Sequence, residues 1–577
     1  MGTYIIEQKK VNRRSLLLFV IAFLCVNAFV YFFISGERYI YFWDYCLYWV
    51  KYQELGSLFH HAPLKAIVQI WKTVRHDDYN MLPVLFLMPF RLFFGASRLA
   101  YELAIANIYV CPSAVLCSAL VGEVVSSTDR TYPPAVAAIT LSTFLLLPQL
   151  WVPVLFGFPD IVGVIVIFLI LLILLRRPVQ EMTAKSLISV ALLLTLLVTL
   201  RRWYAYWVVS FFVALAVETA VTLLPQHRFR ARNYLTAAGR ILIMGAISAA
   251  AFFLFATPIA LKMVTTDYAD IYSAYKRTQG VAPFLMNVAR YFGPFLSALF
   301  VISLAVGIVQ QKTRKLTRLL MFHFLCVIAI FSRVQDFSVQ HNYLLIPSVI
   351  LCISLLMVAL WSRLRDISLR SFFLAGYALI LTIQFSLMFA PAADALPLSV
   401  SRFFSLYRHY PLVRNDLDEM SKLFAFLEKE SASEKGGIYV IASSTTISDD
   451  IMRNACRAFD RPQPFCDRIL PASHVDKRDG FPENFLQANL VVIAAPVQYH
   501  LGSEGQRVVG VLAAEMTNQE SIGASFEKLP DEFTLDGGVK VFVYKKTKPL
   551  SEAGLHDLES RFWAYYPDRK DLFTIRR

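Results

Sequence analysis

Asp44 stands alone among aromatic residues in YIYFWDYCLYW, residues 39–49. A carboxylate in such company has two uses: it takes a proton from a hydroxyl, or it caps the helix that follows. Further on, RHDDYN places Asp77 and Asp78 side by side, where they serve as a second candidate base or as a solvated turn. Asp160 closes the apolar stretch LPQLWVPVLFGFPD, and Arg201 and Arg202 open LRRWYAYW. A guanidinium fork matches the oxygens of a phosphate, although arginines beside an apolar run also snorkel to lipid headgroups. Tyr268, Tyr272 and Tyr275 recur at helical spacing beside Lys276 and Arg277, and RVQDFSVQHNY supplies Arg333, Asp336, His341 and Tyr343. Together these residues offer a base, a set of cations for an anionic leaving group, and aromatic faces for rings to lie on.

The elements that must position them are membrane helices. The chain has 577 residues, 57% of them hydrophobic and 17% charged, which is too apolar for a water-soluble globule. About eleven apolar runs long enough to span a bilayer precede residue 392, near 15–35, 99–124, 134–156, 160–176, 184–200, 207–224, 240–262, 291–311, 318–332, 342–360 and 371–391. With Lys9, Lys10, Arg13 and Arg14 in the cytoplasm, the alternation of eleven spans sends four basic connections there too: 176–185, 228–240, 312–318 and 363–370. Counting NMLPVLFLMPFRLFFG (80–95) as a twelfth span would turn all four outward, against the positive-inside rule. That segment therefore reads as a re-entrant or interfacial piece. The net charge of +14 is then topological and gives no indication of nucleic-acid binding.

All the candidate residues fall on the outer side. The loop 36–98 is expected to hug the membrane, with LKAIVQIWKTVR turning Leu64, Ile67, Val68 and Trp71 to one helical face and Lys65, Lys72 and Arg75 away from it. Beyond Pro391 the composition turns polar. Residues 400–577 read as a soluble α/β domain: a helix in RNDLDEMSKLFAFLEKE capped by Asn415 or Asp416, strands GIYVIAS and NLVVIAAP, and a hairpin in EFTLDGGVKVFVYKK. The domain lacks a phosphate-binding glycine loop. Cys456 and Cys466 either close a short disulfide or stay apart. The fold class is thus an all-α polytopic membrane domain over 1–391 followed by an extracytoplasmic α/β domain.

Activated nucleotides are cytoplasmic, so group transfer on the outer face needs a donor that crosses the bilayer, such as a sugar on a polyprenyl phosphate. Its phosphate leaves without a general acid but gains from nearby cations. The long first outer loop with its early acid, the membrane-parallel helix and the second outer acid in FPD resemble the GT-C superfamily of polyprenyl-phosphate-sugar glycosyltransferases, which includes protein O-mannosyltransferases and bacterial lipid A aminoarabinose transferases. The resemblance covers residues 15 to about 391. It implies that Asp44 is the catalytic base or acceptor-binding carboxylate. Many members carry two adjacent acids there, whereas this chain has WDYC and an acidic pair only at Asp77 and Asp78, so both assignments stay open. Asp160, Arg201, Arg202, Tyr268, Lys276, Arg277, Arg333, His341 and Tyr343 are the candidate substrate contacts.

A divalent metal occurs in some members; His76, Asp77 and Asp78 could contribute ligands, but their spacing is not that of a metal site. No cofactor is otherwise indicated. The expected partners are a polyprenyl-phosphate sugar, a glycan, lipid or protein acceptor, and the bilayer of a bacterial inner membrane, with the N-terminus cytoplasmic. The competing reading is a transporter or flippase of lipid-linked glycans, against which stand spans nearly free of central charge and the lack of an inverted repeat.

Overall fold

The computed structural model describes residues 13–125, 134–223, 231–391, 397, 401–432 and 436–576. Lys9, Lys10, Arg228 and Arg230 lie outside the described residues. Each apolar run is helical, because lipid leaves a backbone no partner but itself. Among the described residues, 8 helices are long and apolar enough to cross a membrane, from Arg13–Ser35 to Ile367–Phe389. Pro134–Leu145 and Pro148–Leu155 together are apolar enough to be a ninth, but they meet at 51°, where Pro148 cannot continue the first helix's hydrogen bonds. Ala184–Leu200 is a shorter apolar helix. Arg314–Phe331 carries Arg314, Lys315 and Arg318 in its first turns.

The chain divides into two compact units: one of Met1–Gly36, Leu47–Thr266 and Thr278–Pro411, the other of Glu37–Cys46, Asp267–Arg277 and Leu412–Arg577. In the first, helix Pro63–His76 leaves Leu64, Ile67, Val68 and Trp71 exposed while Ala66, Thr73 and Val74 are buried. An unpartnered apolar stripe on a surface helix belongs in a lipid interface. Residues 80–95 form two short helices, Leu82–Leu85 and Met88–Phe94, each with a proline in its first turn, closed by Gly95 in the left-handed region (φ +81). The second span contains a π-helical turn, Ala106–Val110, and Tyr109 in it donates to the carbonyl of Pro83. That bond ties the short helices to the bundle.

The second unit is built on a four-stranded sheet, β1 (Gly437–Ile441), β2 (Ala488–Ala495), β3 (Phe526–Leu535) and β4 (Val539–Lys546), in the order β1-β2-β4-β3. β1 and β2 are parallel; β4 pairs antiparallel with both β2 and β3. Alternate residues face opposite sides. Ile438, Val440, Leu490 and Val492 pack on helix Leu417–Ser431 and on Ile451 and Met452. Tyr439, Ile441, Val491 and Ile493 pack on Val508, Leu512, Leu558 and Phe562. Both faces are covered, which is why these strands read as continuous apolar runs. Cys456 and Cys466 are joined as a disulfide, Cα to Cα 5.8 Å.

Two expectations change. Asp416 occupies the N-cap position, yet it makes no cap bond; its carboxylate takes Arg414 at 2.6 Å and the Asp536 N–H at 2.8 Å instead, since a charged partner outcompetes a neutral one. The loop 36–98 is not one membrane-bound platform. Residues 37–46 belong to the second unit, with Ile40 and Phe42 4% and 1% exposed inside its core. Extended backbone puts both side chains on one side, and the stretch is stitched to residues 412–414 by Arg38 N–H to Leu412 O and Arg414 N–H to Arg38 O, each 2.9 Å.

A buried acid in this unit sets a pH signature. Burial pushes Asp476 up to about 6, even though the Tyr566 hydroxyl (2.6 Å) and the Val508 N–H (3.2 Å) donate to it. The folded state therefore holds a proton that the unfolded state has already released near pH 4, and this contribution to stability is lost as pH rises from about 4 to about 6. Asp476→Asn lacks that slope. Relative to wild type, it should gain on the order of 2 kcal/mol across this window, read from melting midpoints at a series of pH values; a pH-independent difference would refute the assignment.

Candidate active site

In the first unit the candidate residues meet where helix ends gather. The turn Pro159–Ile161 precedes helix Val162–Arg176, and Arg201 and Arg202 follow helix Ala184–Leu200. Arg201 Nε lies 2.5 Å from Asp160 Oδ1, with side chains 3% and 0% exposed. The Tyr204 hydroxyl donates to the Asp160 carbonyl at 2.8 Å. Tyr204 crosses this helix only because residue 163 is glycine, where a Cβ would come within 2.2 Å of its ring. Arg201 also reaches the Asp78 carbonyl at 3.4 Å and stands 4.0 Å from the centroid of Tyr79. One guanidinium thus joins the FPD turn to the segment carrying the acidic pair.

Asp78 binds two cations. Arg202 Nη1 is 3.0 Å from one carboxylate oxygen and Lys262 Nζ, from the last turn of helix Ala231–Thr265, is 3.0 Å from the other. Asn80 fixes the register by donating to the Thr199 carbonyl (2.8 Å) while accepting the Leu82 N–H (2.9 Å). A small cleft beside this group is lined by the polar Asp77, Asp78, Asn80, Thr199 and Arg202 and by the apolar Val74, Val198, Phe252 and Ile259. Charged and apolar side chains thus border the same small cleft. Asp77 ends helix Pro63–His76 and sits 3.8 Å from Lys51.

The remaining candidates of this unit divide. His341 is buried, and burial together with the charges of Arg201 and Arg202 lowers it to about 3, so it is neutral. Its Nδ1 accepts the Ser338 N–H at 3.1 Å, which leaves the proton on Nε2. Tyr343 is fully buried and donates to the Leu150 carbonyl at 2.7 Å; like Asp160, it braces the fold and offers no surface to a ligand. Arg333 is exposed beyond helix Arg314–Phe331. Sequence reasoning does not single out Lys262, because it closes an otherwise apolar helix; a lone lysine in that last turn is the available signal.

Asp44, Tyr268, Lys276 and Arg277 lie in the second unit. Asp44 begins helix Asp44–His61. Burial, reinforced by the charge of Asp44 and opposed by Arg478, pushes the Tyr275 phenol up to about 12, as burial and Asp44 do for Tyr45. Tyr268 and Tyr272 stack, centroids 6.1 Å apart and planes 8° off parallel, while Lys276 and Arg277 are exposed. Among the described residues, no three His, Cys, Asp or Glu side chains converge as a metal requires. Asp78, the best-placed carboxylate of His76–Asp78, has its oxygens on Arg202 and Lys262, so this set does not fit a divalent ion.

No protein-family model and no curated protein matches the sequence. Solved structures do. ArnT from Cupriavidus metallidurans bound to undecaprenyl phosphate aligns over 92% of this chain and 97% of its own, at 12% identity and TM-score 0.47. The archaeal oligosaccharyltransferase AglB from Archaeoglobus fulgidus, in complex with an inhibitory peptide and a dolichol-phosphate, aligns over 83% of this chain and 69% of its own, at 13% identity and TM-score 0.43. A likeness at this level carries no residue roles with it.

The geometry separates bracing from exposed acids. Asp160→Asn leaves a buried guanidinium without its counter-charge and should cost about 3–5 kcal/mol, whereas Asp77→Asn, at a side chain 47% exposed, should leave the melting midpoint in detergent nearly unchanged. Equal melting of the two variants would overturn the bracing role.

Proposed function

We propose that this chain is an integral-membrane glycosyltransferase that moves a sugar from a polyprenyl-phosphate donor to an acceptor hydroxyl on the extracytoplasmic face of a bacterial inner membrane. The N-terminus is cytoplasmic, and the C-terminal unit faces outward. The observation that carries the reading is the clamp of Arg202 and Lys262 on Asp78 beside a half-apolar cleft. Two cations at the ends of two membrane helices are more than one carboxylate needs. A lipid-borne phosphate entering the cleft takes over their charge, and the prenyl chain lies along Val74, Val198, Phe252 and Ile259.

In the reaction the bond from the sugar's anomeric carbon to the phosphate oxygen breaks. The phosphate keeps the electron pair, and Arg202 and Lys262 stabilise the charge that grows on it. The acceptor hydroxyl bonds to the anomeric carbon as its proton passes to a carboxylate. Asp44 is the favoured base, because Asp78 has both oxygens committed to cations; Asp77 is the competitor. Tyr268, Lys276 and Arg277 offer rings and charge to an acceptor, with Arg333 as an outer cation. His341, neutral beside the two arginines, adds no charge against them.

Purified protein given polyprenyl-phosphate sugars should release polyprenyl phosphate; a transporter, flippase or scaffold releases none. Arg202→Gln should lower transfer about 10²-fold or more and weaken retention of undecaprenyl phosphate itself. Asp44→Asn should lower transfer about 10²–10⁴-fold, and near-normal turnover by that variant would move the base to Asp77 or Asp78. Cysteines placed at Lys276 and in residues 312–318 should label from outside the cell and only after lysis, respectively; the reverse pattern sinks the proposed sidedness.

A further inference from the structure

The helix Asp449–Ala458 holds the chain on both sides of Asp44. Before it, the Trp43 backbone N–H donates to the Asp450 carboxylate. After it, the Asn454 amide reaches the Cys46 sulfur at 3.4 Å. Asp450 and Asn454 are one helical turn apart and therefore share a face, so a single rigid element fixes the residues flanking the carboxylate. Trp43 has φ +45, a left-handed conformation that a bulky side chain keeps only when its surroundings impose it.

Those surroundings are themselves braced. The Trp43 ring lies 5.3 Å from the His474 ring and 4.6 Å from the His500 ring. Both imidazoles meet the Ser443 hydroxyl through Nδ1, at 2.8 and 2.9 Å. His474 Nε2 is 2.8 Å from Asp449 Oδ1, and Asp449 also takes the Ala472 N–H at 3.1 Å and Arg453 at 2.9 Å. Ser443, His474 and Asp449 are connected in the order of a nucleophile relay. Ser443 is fully buried, however, and its hydroxyl is shared between two rings, which closes any path of attack and leaves a strut under Trp43.

We propose that Asp450 and Asn454 are positioning residues for Asp44: the C-terminal unit's part in the reaction is to hold that carboxylate at the place and angle from which it takes the acceptor's proton. The inference rests on Asp44 being the base. A base displaced by an ångström loses turnover while donor binding is untouched.

The test uses the full-length protein in the transfer assay. Asp450→Ala should lower kcat 10- to 100-fold with the KM for the polyprenyl-phosphate sugar unchanged, and Asp450→Asn, whose amide oxygen still accepts the Trp43 N–H, should recover most of the loss. Asn454→Ala, acting on the other flank, should lower kcat less and in the same manner, and it serves if Asp450→Ala misfolds by melting or size exclusion. In an Asp44→Asn background neither substitution should reduce kcat further. Wild-type kcat in Asp450→Ala and Asn454→Ala, a rise in donor KM instead of a fall in kcat, or a full additional loss in the Asp44→Asn background overturns the positioning role while leaving Asp44 as the base. Near-normal transfer by Asp44→Asn alone removes the base assignment, and the inference with it.

Discussion

A carboxylate and a guanidinium buried together govern the membrane unit. Asp160 and Arg201 lie 2.5 Å apart at 0% and 3% exposure, in a place where either charge alone would be intolerable. Such a pair adds little net stability, because its attraction mostly offsets the loss of hydration. What it supplies is register. Arg201 can satisfy Asp160 only if the turn before one helix and the end of another are held at one height, and the neighbouring residue, Arg202, meets Asp78. The stacking of Arg201 on Tyr79 at 4.0 Å binds the acidic segment to the same point.

The second unit solves a different problem. Its sheet is covered on both faces, so it behaves as an independent hydrophobic core; yet that core is completed by Ile40 and Phe42, borrowed from the far end of the sequence. The aromatic stretch around Asp44 is therefore rich in large side chains for packing reasons.

Much of this was legible from the amino acids. Hydropathy marked the apolar runs, and 8 of the described helices are long and apolar enough to cross a membrane, since a spanning segment must satisfy its own backbone; the 3.6-residue pattern of Leu64, Ile67, Val68 and Trp71 marked the surface helix. The strands of the C-terminal unit and the turn at Asp536–Gly538 followed from apolar runs and glycine. Asp78, Asp160, Arg201, Arg202 and His341, which helix alternation assigns to one face, stand close together in the first unit. What was not legible is pairing. Nothing local distinguishes Asp160, spent on a buried arginine, from Asp78, which gathers Arg202 and Lys262. Lys262 was hidden by its apolar neighbours, and Asp450, Asn454, His474 and His500 carry no signature until residues 37–46 are laid against them. Tyr343 looked like an outer-surface aromatic because its burial depends on Leu150, in a different span.

The borrowed core also bears on how such a protein is made. A ribosome delivers Trp43 long before its partner Asp450, which follows 407 positions later. Through the synthesis of the residues in between, the aromatic stretch has no hydrophobic core to enter. Its alternation of tyrosines with Ile40 and Phe42 suits that interval, because the hydroxyls keep the waiting segment partly polar. Maturation of the carboxylate's surroundings is therefore a last act of biogenesis.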